Sequence, residues 1–359
     1  MIKKGKTINF SGQDIYVGID VHLKSWTVAI VIGEVLYKPF SQDPCAQLLG
    51  KYLRKKFPGA SYYSVYEAGF CGFSVHRELE RNGIKNIVVN PADVPTTDKD
   101  RKQKEDRRDS RKLARGLKNK ELTGIYVISN EAEELRSLVR YRKTTMKELC
   151  RHKNRIKSFL YFKGIHIPSE LNTASIYWSN IFTSWLKQLE LSTEYGNMVL
   201  LETIDTAEFL RAKLLKVNRQ FRSLEKDSKY TKDINLLRSI PGIGLIVAIT
   251  FLSELDTIKR FKNLDKLCSF VGLIPSTHCS GEKENTGSIT KRTNKPMRSS
   301  IVESAWVAIR HDPALTLKYN QLRNRMEPNE AIIRIAKKMM NRIRYVLLNK
   351  QEYVCSVVQ

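Results

Sequence analysis

Apolar spacing divides this chain into an α/β N-terminal region built on a mixed sheet, a helical middle and a mainly α C-terminal region. Three observations predict this. Short runs of β-branched and aromatic residues fill the first ninety positions. Apolar residues then recur at alternating steps of four and three beyond residue 130. Finally, a Pro-Gly-Ile-Gly turn separates two apolar runs at the start of the last third.

In order along the chain, Tyr16–Val21, Trp26–Ile32 and Val35–Tyr37 have strand chemistry, with breaks at 22–25 and Gly33, and predict an antiparallel meander. A helix follows over Pro44–Lys56, stopped by Pro58-Gly59. Next come a strand ending at Glu67, a helix over Phe73–Asn82 stopped by Gly83, and a strand at Asn86–Val89. A basic helix is expected from about Gln103 to Lys120. In the middle region, Leu210, Leu214, Val217, Phe221 and Leu224 form the seam of a coiled coil or helical hairpin, matched more loosely by Leu149, Ile156 and Phe159. Lys163-Gly-Ile-His-Ile-Pro168 separates the helices. The apolar runs around Pro241-Gly-Ile-Gly244 carry a helix-hairpin-helix signature, whose turn offers backbone N–H groups to a phosphate through Gly242 and Gly244. A small-residue loop, Ser276–Gly281, and a basic stretch with Lys283, Lys291, Arg292, Lys295 and Arg298 follow. The expected domains are 1–128, 129–232 and 233–359.

The 359 residues carry a formal net charge of +25. Such a surface binds polyanions by counterion release, so DNA or RNA is the expected partner class. A membrane is not expected: the longest apolar run, near Ile243 to Leu252, is well short of the ~20 residues of a spanning helix. No cleavable signal is visible at the start, and a cytoplasmic, nucleoid-associated protein is expected. The six scattered cysteines show no zinc spacing and read as reduced thiols.

Against this basic background four acids stand out. Asp20 closes Ile15-Tyr-Val-Gly-Ile-Asp20, and Glu67 closes Tyr62-Tyr-Ser-Val-Tyr-Glu67. Asp106 and Asp109 lie inside a run of Lys and Arg, spaced to share one helical face. Strand-end carboxylates with a helical Asp-x-x-Asp pair suit hard Mg²⁺, and two such ions about 4 Å apart support phosphoryl transfer. Asp100 and Glu105 read as solvated or salt-bridging neighbours.

Tyr16-Val-Gly-Ile-Asp-Val-His-Leu-Lys24, Tyr66-Glu-Ala-Gly69, Val88-Val-Asn-Pro91 and Lys104-Glu-Asp-Arg-Arg-Asp-Ser-Arg-Lys-Leu-Ala114 resemble the DEDD transposases of bacterial insertion sequences, insertion-sequence family 110, which includes the Piv-type DNA invertases. The resemblance continues through Ile240-Pro-Gly-Ile-Gly244, Phe270-Val-Gly-Leu-Ile-Pro275, His278-Cys-Ser-Gly281 and Gly287-Ser-Ile-Thr-Lys-Arg-Thr-Asn294. It implies a RuvC-like, ribonuclease-H-type domain with Asp20, Glu67, Asp106 and Asp109 as ligands of two Mg²⁺ ions, for which Mn²⁺ can substitute. It also implies a C-terminal transposase domain whose serine nucleophile falls on Ser280, with Ser276 and Ser288 as the neighbouring serines. The implied reaction is serine attack on a DNA phosphodiester and strand exchange between donor and target DNA, in a dimer or tetramer joined by the coiled-coil region and guided by an element-encoded RNA. Lys291, Arg292 and Arg298 would contact nucleic acid. The chain departs from the family pattern at Glu105 (usually Thr), Ser110 (usually Ala) and Cys279 (usually Ser). The residues themselves leave two other readings: a metal-dependent nuclease or Holliday-junction-resolvase-like enzyme using water, and an inactive nucleic-acid-binding protein.

Overall fold

A computed structural model describes residues 9–95, 105–280, 283–290 and 293–355. It divides into two compact units, Met1–Val127 and Ile128–Gln359.

In the first unit, strands β1 (Asp14–Val21), β2 (Trp26–Ile32), β3 (Val35–Leu36) and β4 (Phe40–Gln42) precede helix α1 (Ala46–Lys56). Strand β5 (Ser61–Glu67), helix α2 (Ser74–Arg81), strand β6 (Lys85–Val89) and helix α3 (Asp106–Lys118) complete it. The sheet runs β3-β2-β1-β5-β6, with β4 also pairing β2. β1 and β2 are antiparallel, whereas β1–β5 and β5–β6 are parallel, so the sheet is mixed as expected. Strand alternation sends Ile15, Val17, Ile19, Val28 and Ile30 to one face, where they pack with Leu49 and Leu53 of α1 and Leu79 of α2. The opposite face is covered by α3: Val65 packs with Leu113, and Ala29 and Val31 pack with Ala114.

Among its described residues the second unit is helical apart from one hairpin. Its elements are α4 (Asn130–Phe162), α5 (Asn180–Lys187), α6 (Glu194–Leu224), α7 (Ser228–Arg238), α8 (Leu245–Leu255) and α9 (Leu264–Val271). Strands β7 (Pro275–Ser280) and β8 (Lys283–Ile289) then lead to α10 (Lys295–Ala308), α11 (Pro313–Arg323) and α12 (Pro328–Asn349). Side-chain caps fix many of the starts: Ser129, Ser179, Thr193, Asp227, Asn263, Asn294 and Asp312 each accept a backbone N–H of the first turn. The long helices α4 and α6 are antiparallel. Arg142 bonds Asn218 near one end, while Leu149, Ile156 and Leu160 pack with Leu200, Ile204, Ala207, Leu210 and Leu214 further out. The expected seam is therefore an intramolecular one, with Val217 and Phe221 joining the main core around α12.

Two expectations are corrected here. Residues 276–280 of the expected small-residue loop are strand, because β7 pairs antiparallel with β8, and residue 281 lies outside the described set. Thr277, Thr286 and Ile289 tolerate extended backbone, and the ladder supplies the order that apolar alternation lacks. The basic helix starts at Asp106 rather than Gln103; Glu105 sits in extended conformation as its N-cap residue, and residues 96–104 lie outside the described set.

Candidate active site

The site in the first unit begins with a missing side chain. A Cβ on Gly18 would lie 2.0 Å from the Ser110 carbonyl oxygen and 2.4 Å from the Ala114 nitrogen. α3 therefore rests its backbone directly on β1. Positions 18 and 20 share that face of the strand, and His22 follows in the turn just after it, so Asp20 and His22 both reach the first turn of α3, where Asp106 and Asp109 stand.

His22 Nε2 lies 3.2 Å from Asp20 Oδ2 and 3.5 Å from Asp106 Oδ2. Asp20, His22 and Asp106 each offer a ligand atom within 4.8 Å of the others. Burial raises the Asp20 carboxyl above its usual range. His22 opposes that shift, while Asp106 and Asp109 add to it through like-charge repulsion. Asp109 therefore belongs to the same electrostatic cluster. The registered pairs of β1 and β5 stop at Ile19↔Tyr66, and the next residues on the two strands are Asp20 and Glu67. Glu67 falls on the same face as Val65, which packs under α3, but it is not one of the three residues within the 4.8 Å cluster among the described residues.

Sequence reasoning placed His22 in the break between β1 and β2, where it lies, but did not assign it to the site. Its backbone N–H donates to the Ser25 carbonyl across that break, and no strand or helix spacing ties its ring to Asp20 in the sequence. The donor set fits a divalent cation: carboxylates crowd a partly buried point, and their mutual repulsion is relieved by positive charge.

In the second unit, Ser280 is the last residue of β7 and pairs with Lys283. Thr290 and Gly272 flank the hairpin, and Arg298 Nη1 donates to both their carbonyls, at 2.9 and 3.5 Å. Asn294, which caps α10 beyond the hairpin, also donates to Glu254 Oε2 at 2.9 Å. Lys291 and Arg292 lie outside the described residues. Gly242 (φ +86°) abuts α10, with the Ser304 carbonyl oxygen 2.3 Å from where its Cβ would be; Gly244 is exposed with open space around it at the start of α8.

A model of DEDD transposases of the IS110 group matches residues 17–163, and one described as the transposase IS116/IS110/IS902 family matches residues 234–320. The chain belongs to the IS110 family of DEDD transposases. It is 29% identical over 360 residues to a protein of Sinorhizobium fredii named as a transposase, covering 96% of this chain and 86% of that one. The transposase for insertion sequence element IS1533 of Leptospira borgpetersenii is 24% identical over 306 residues, covering 82% and 85% of the two chains. That for IS1111A of Coxiella burnetii is 24% identical over 295 residues, covering 79% and 78%. This transposase is thus an enzyme, and its two matched segments contain the two clusters just described. No helix among the described residues is long and apolar enough to cross a membrane.

Proposed function

We propose that this transposase cleaves and rejoins DNA with a DEDD metal site and a serine nucleophile. Asp20, Glu67, Asp106 and Asp109 would hold two Mg²⁺ ions, with His22 beside them. The observation that carries this reading is the convergence of Asp20, Asp106 and Asp109 where β1 meets the first turn of α3. The strand order β3-β2-β1-β5-β6, with only the first strands antiparallel, supports a ribonuclease-H-type, RuvC-like assignment for residues 1–128. The helical pair around residues 239–244 supports a helix-hairpin-helix reading within 233–359, leaving 129–232 as an arm that joins subunits.

The ions, when bound, supply Lewis-acid stabilisation of charge on the reacting phosphate. Ser280 Oγ attacks phosphorus, an Oγ–P bond forms and a P–O bond to the sugar breaks, and the Oγ proton leaves to balance the displaced oxygen. Attack by a hydroxyl of a second DNA then reverses the step and restores the serine. Arg298 holds the hairpin that carries Ser280, while Lys291, Arg292 and the Gly242–Gly244 turn contact nucleic acid. An element-encoded RNA selects donor and target, and the enzyme works as a dimer or tetramer in the nucleoid.

The test is to incubate the protein with Mg²⁺, element-end DNA and element RNA, and to look by denaturing gel and mass spectrometry for DNA attached to a serine peptide. An adduct on Ser280 that is lost in Ser280→Ala, together with loss of strand transfer in a folded, DNA-binding Asp20→Asn variant, is the expected result. Cleavage without any adduct would replace the serine mechanism by hydrolysis with water.

A further inference from the structure

The outward face of α4 serves neither the metal cluster nor the serine hairpin. Residues 140–163 contain nine Lys and Arg against a single acid, Glu148. The antiparallel partner shows the opposite bias: residues 194–210 of α6 contain Glu194, Glu202, Asp205 and Glu208 and no Lys or Arg. A merely solvated helical face mixes both signs. In this outer part of the hairpin the charges are sorted onto separate helices, whereas residues 211–224 of α6, nearer its base, contain Arg211, Lys213, Lys216, Arg219 and Arg222 and no acid.

Six of the nine cations on α4 and its end have other occupations. Arg140 pairs with Glu254, Arg142 with Asn218, and Lys143 donates to Ser299 Oγ at 2.9 Å. Lys153, Lys157 and Lys163 lie over the rings of Trp178, Tyr161, and Phe159 and Phe162. The remaining three, Lys147, Arg151 and Arg155, make no ion pair with the described residues. They recur every four residues, about 6 Å apart along the axis. They line an open trough of about 770 Å³ together with Asn154, Met146 and Phe162. At the outer end Phe162 is 82% exposed and Tyr161 53% exposed. At the inner end the series continues to Lys143 and its Ser299 partner in the first turns of α10, just beyond the serine hairpin.

We propose that this face of α4 is a track for single-stranded DNA, with Lys147, Arg151 and Arg155 on successive phosphates and Phe162 stacking a base. Charge complementarity selects a phosphodiester backbone. The exposed aromatic end selects a single strand, because a duplex keeps its base faces stacked internally and leaves Phe162 nothing to cover it. The acidic stretch of α6 repels a backbone and confines it to the α4 side. The inference goes beyond the metal and serine assignments and does not depend on either of them.

The experiment uses the full-length protein and fluorescence anisotropy with a mixed-sequence oligonucleotide as single-stranded DNA, duplex DNA and RNA, across a salt series. In Lys147→Gln/Arg151→Gln/Arg155→Gln, the slope of log K against log salt for single-stranded DNA should fall by about 2, at ~0.7 per phosphate contact. Its affinity should drop about tenfold or more while duplex affinity moves less than about twofold. Phe162→Ala should lose about tenfold on the single strand with the slope unchanged. An unchanged slope, an equal loss on duplex, a loss confined to RNA, or a change of oligomeric mass in the triple variant would overturn the track. Should the triple variant misfold, wild-type protein photo-crosslinked to bromouracil-substituted single-stranded DNA decides the matter: adducts within 146–162 support the track, and adducts only elsewhere refute it.

Discussion

Gly18→Ala adds one methyl group and should disable the proposed metal site from beneath. The new carbon would meet the Ser110 carbonyl oxygen at 2.0 Å and the Ala114 nitrogen at 2.4 Å, where ordinary contact begins at 3.4 Å. Both atoms are backbone, and both belong to a helix whose Leu113 and Ala114 are buried against the sheet, so no side chain can swing aside. α3 must retreat by more than about 1 Å or the strand must buckle, which costs about 3 kcal/mol at the upper end of overpacking. The retreat carries Asp106 and Asp109 away from Asp20, and a displacement of ~1 Å at a reacting constellation typically costs about 100-fold in rate. Urea denaturation measures the first effect, and Mn²⁺ titration followed by electron paramagnetic resonance measures the second. Gly69→Ala is the control, since its Cβ would meet only the Glu67 carbonyl oxygen, at 3.9 Å. Wild-type stability with wild-type Mn²⁺ affinity in Gly18→Ala would refute the close-approach argument and, with it, the placement of the Asp pair.

The two glycines of the Pro-Gly-Ile-Gly turn should separate by role. Gly242→Ala, with its Cβ 2.3 Å from the Ser304 carbonyl at positive φ, should destabilise by about 2 kcal/mol or more in thermal unfolding, whereas Gly244→Ala should fold normally, so any loss of its duplex-DNA affinity reports backbone–phosphate contact. Glu254→Gln should cost about 2–3 kcal/mol in urea unfolding, because Glu254 is buried with Arg136 and Arg140 against it and only the half-exposed Arg140 regains water; a neutral result would mean the pair is expendable. Tyr353→Phe removes the 2.8 Å hydrogen bond to buried Asp312 and should cost about 1.5 kcal/mol. Burial first, then the Asp312 hydrogen bond, pushes the Tyr353 phenol up to about 12, so its neutral form is favoured by folding; that stabilisation is complete below pH 10 and is lost as pH rises through about 12, which tyrosinate absorbance alongside unfolding midpoints would check.

The N-terminal sheet was legible because local chemistry and tertiary role agree. Val17, Ile19, Val28 and Ile30 alternate with residues of the other face, and turns follow at the ends, so Asp20 and Glu67 could be placed at strand termini before any contact was known. Asp106 and Asp109 followed from helical spacing. His22 was hidden because a lone His beside Leu23-Lys-Ser25 has the composition of a turn, and only the α3 contact turns its ring towards two carboxylates. The β7–β8 hairpin was hidden for another reason: Ser-Thr-His-Cys-Ser carries no apolar alternation, and its order comes from the partner strand. Short β4, at Phe40–Gln42, has too few residues for a periodicity. The helices that open at Asp312-Pro313 and Pro328 were not picked out in the sequence, and they are distinguished by which residues reach the core around Ile335 and Met339.

Two glycines next to the chemistry turn out to act through packing. Gly18 precedes Asp20 by two residues, and Gly242 belongs to the turn read as a phosphate cradle. In each, the absent Cβ lets a helix backbone rest on the glycine: α3 on Gly18 and α10 on Gly242. Each of those helices begins at a segment of the proposed function, α3 with Asp106 and Asp109, and α10 directly after the hairpin that carries Ser280. Side-chain contacts leave slack of tenths of an ångström, whereas backbone resting on backbone leaves almost none. A motif glycine beside a catalytic acid or nucleophile can therefore set the distance between reacting groups without touching substrate. Variants at these glycines should be sorted first by stability and only then by activity, because a loss of strand transfer in Gly242→Ala says nothing about phosphate contact unless Gly244→Ala shares it.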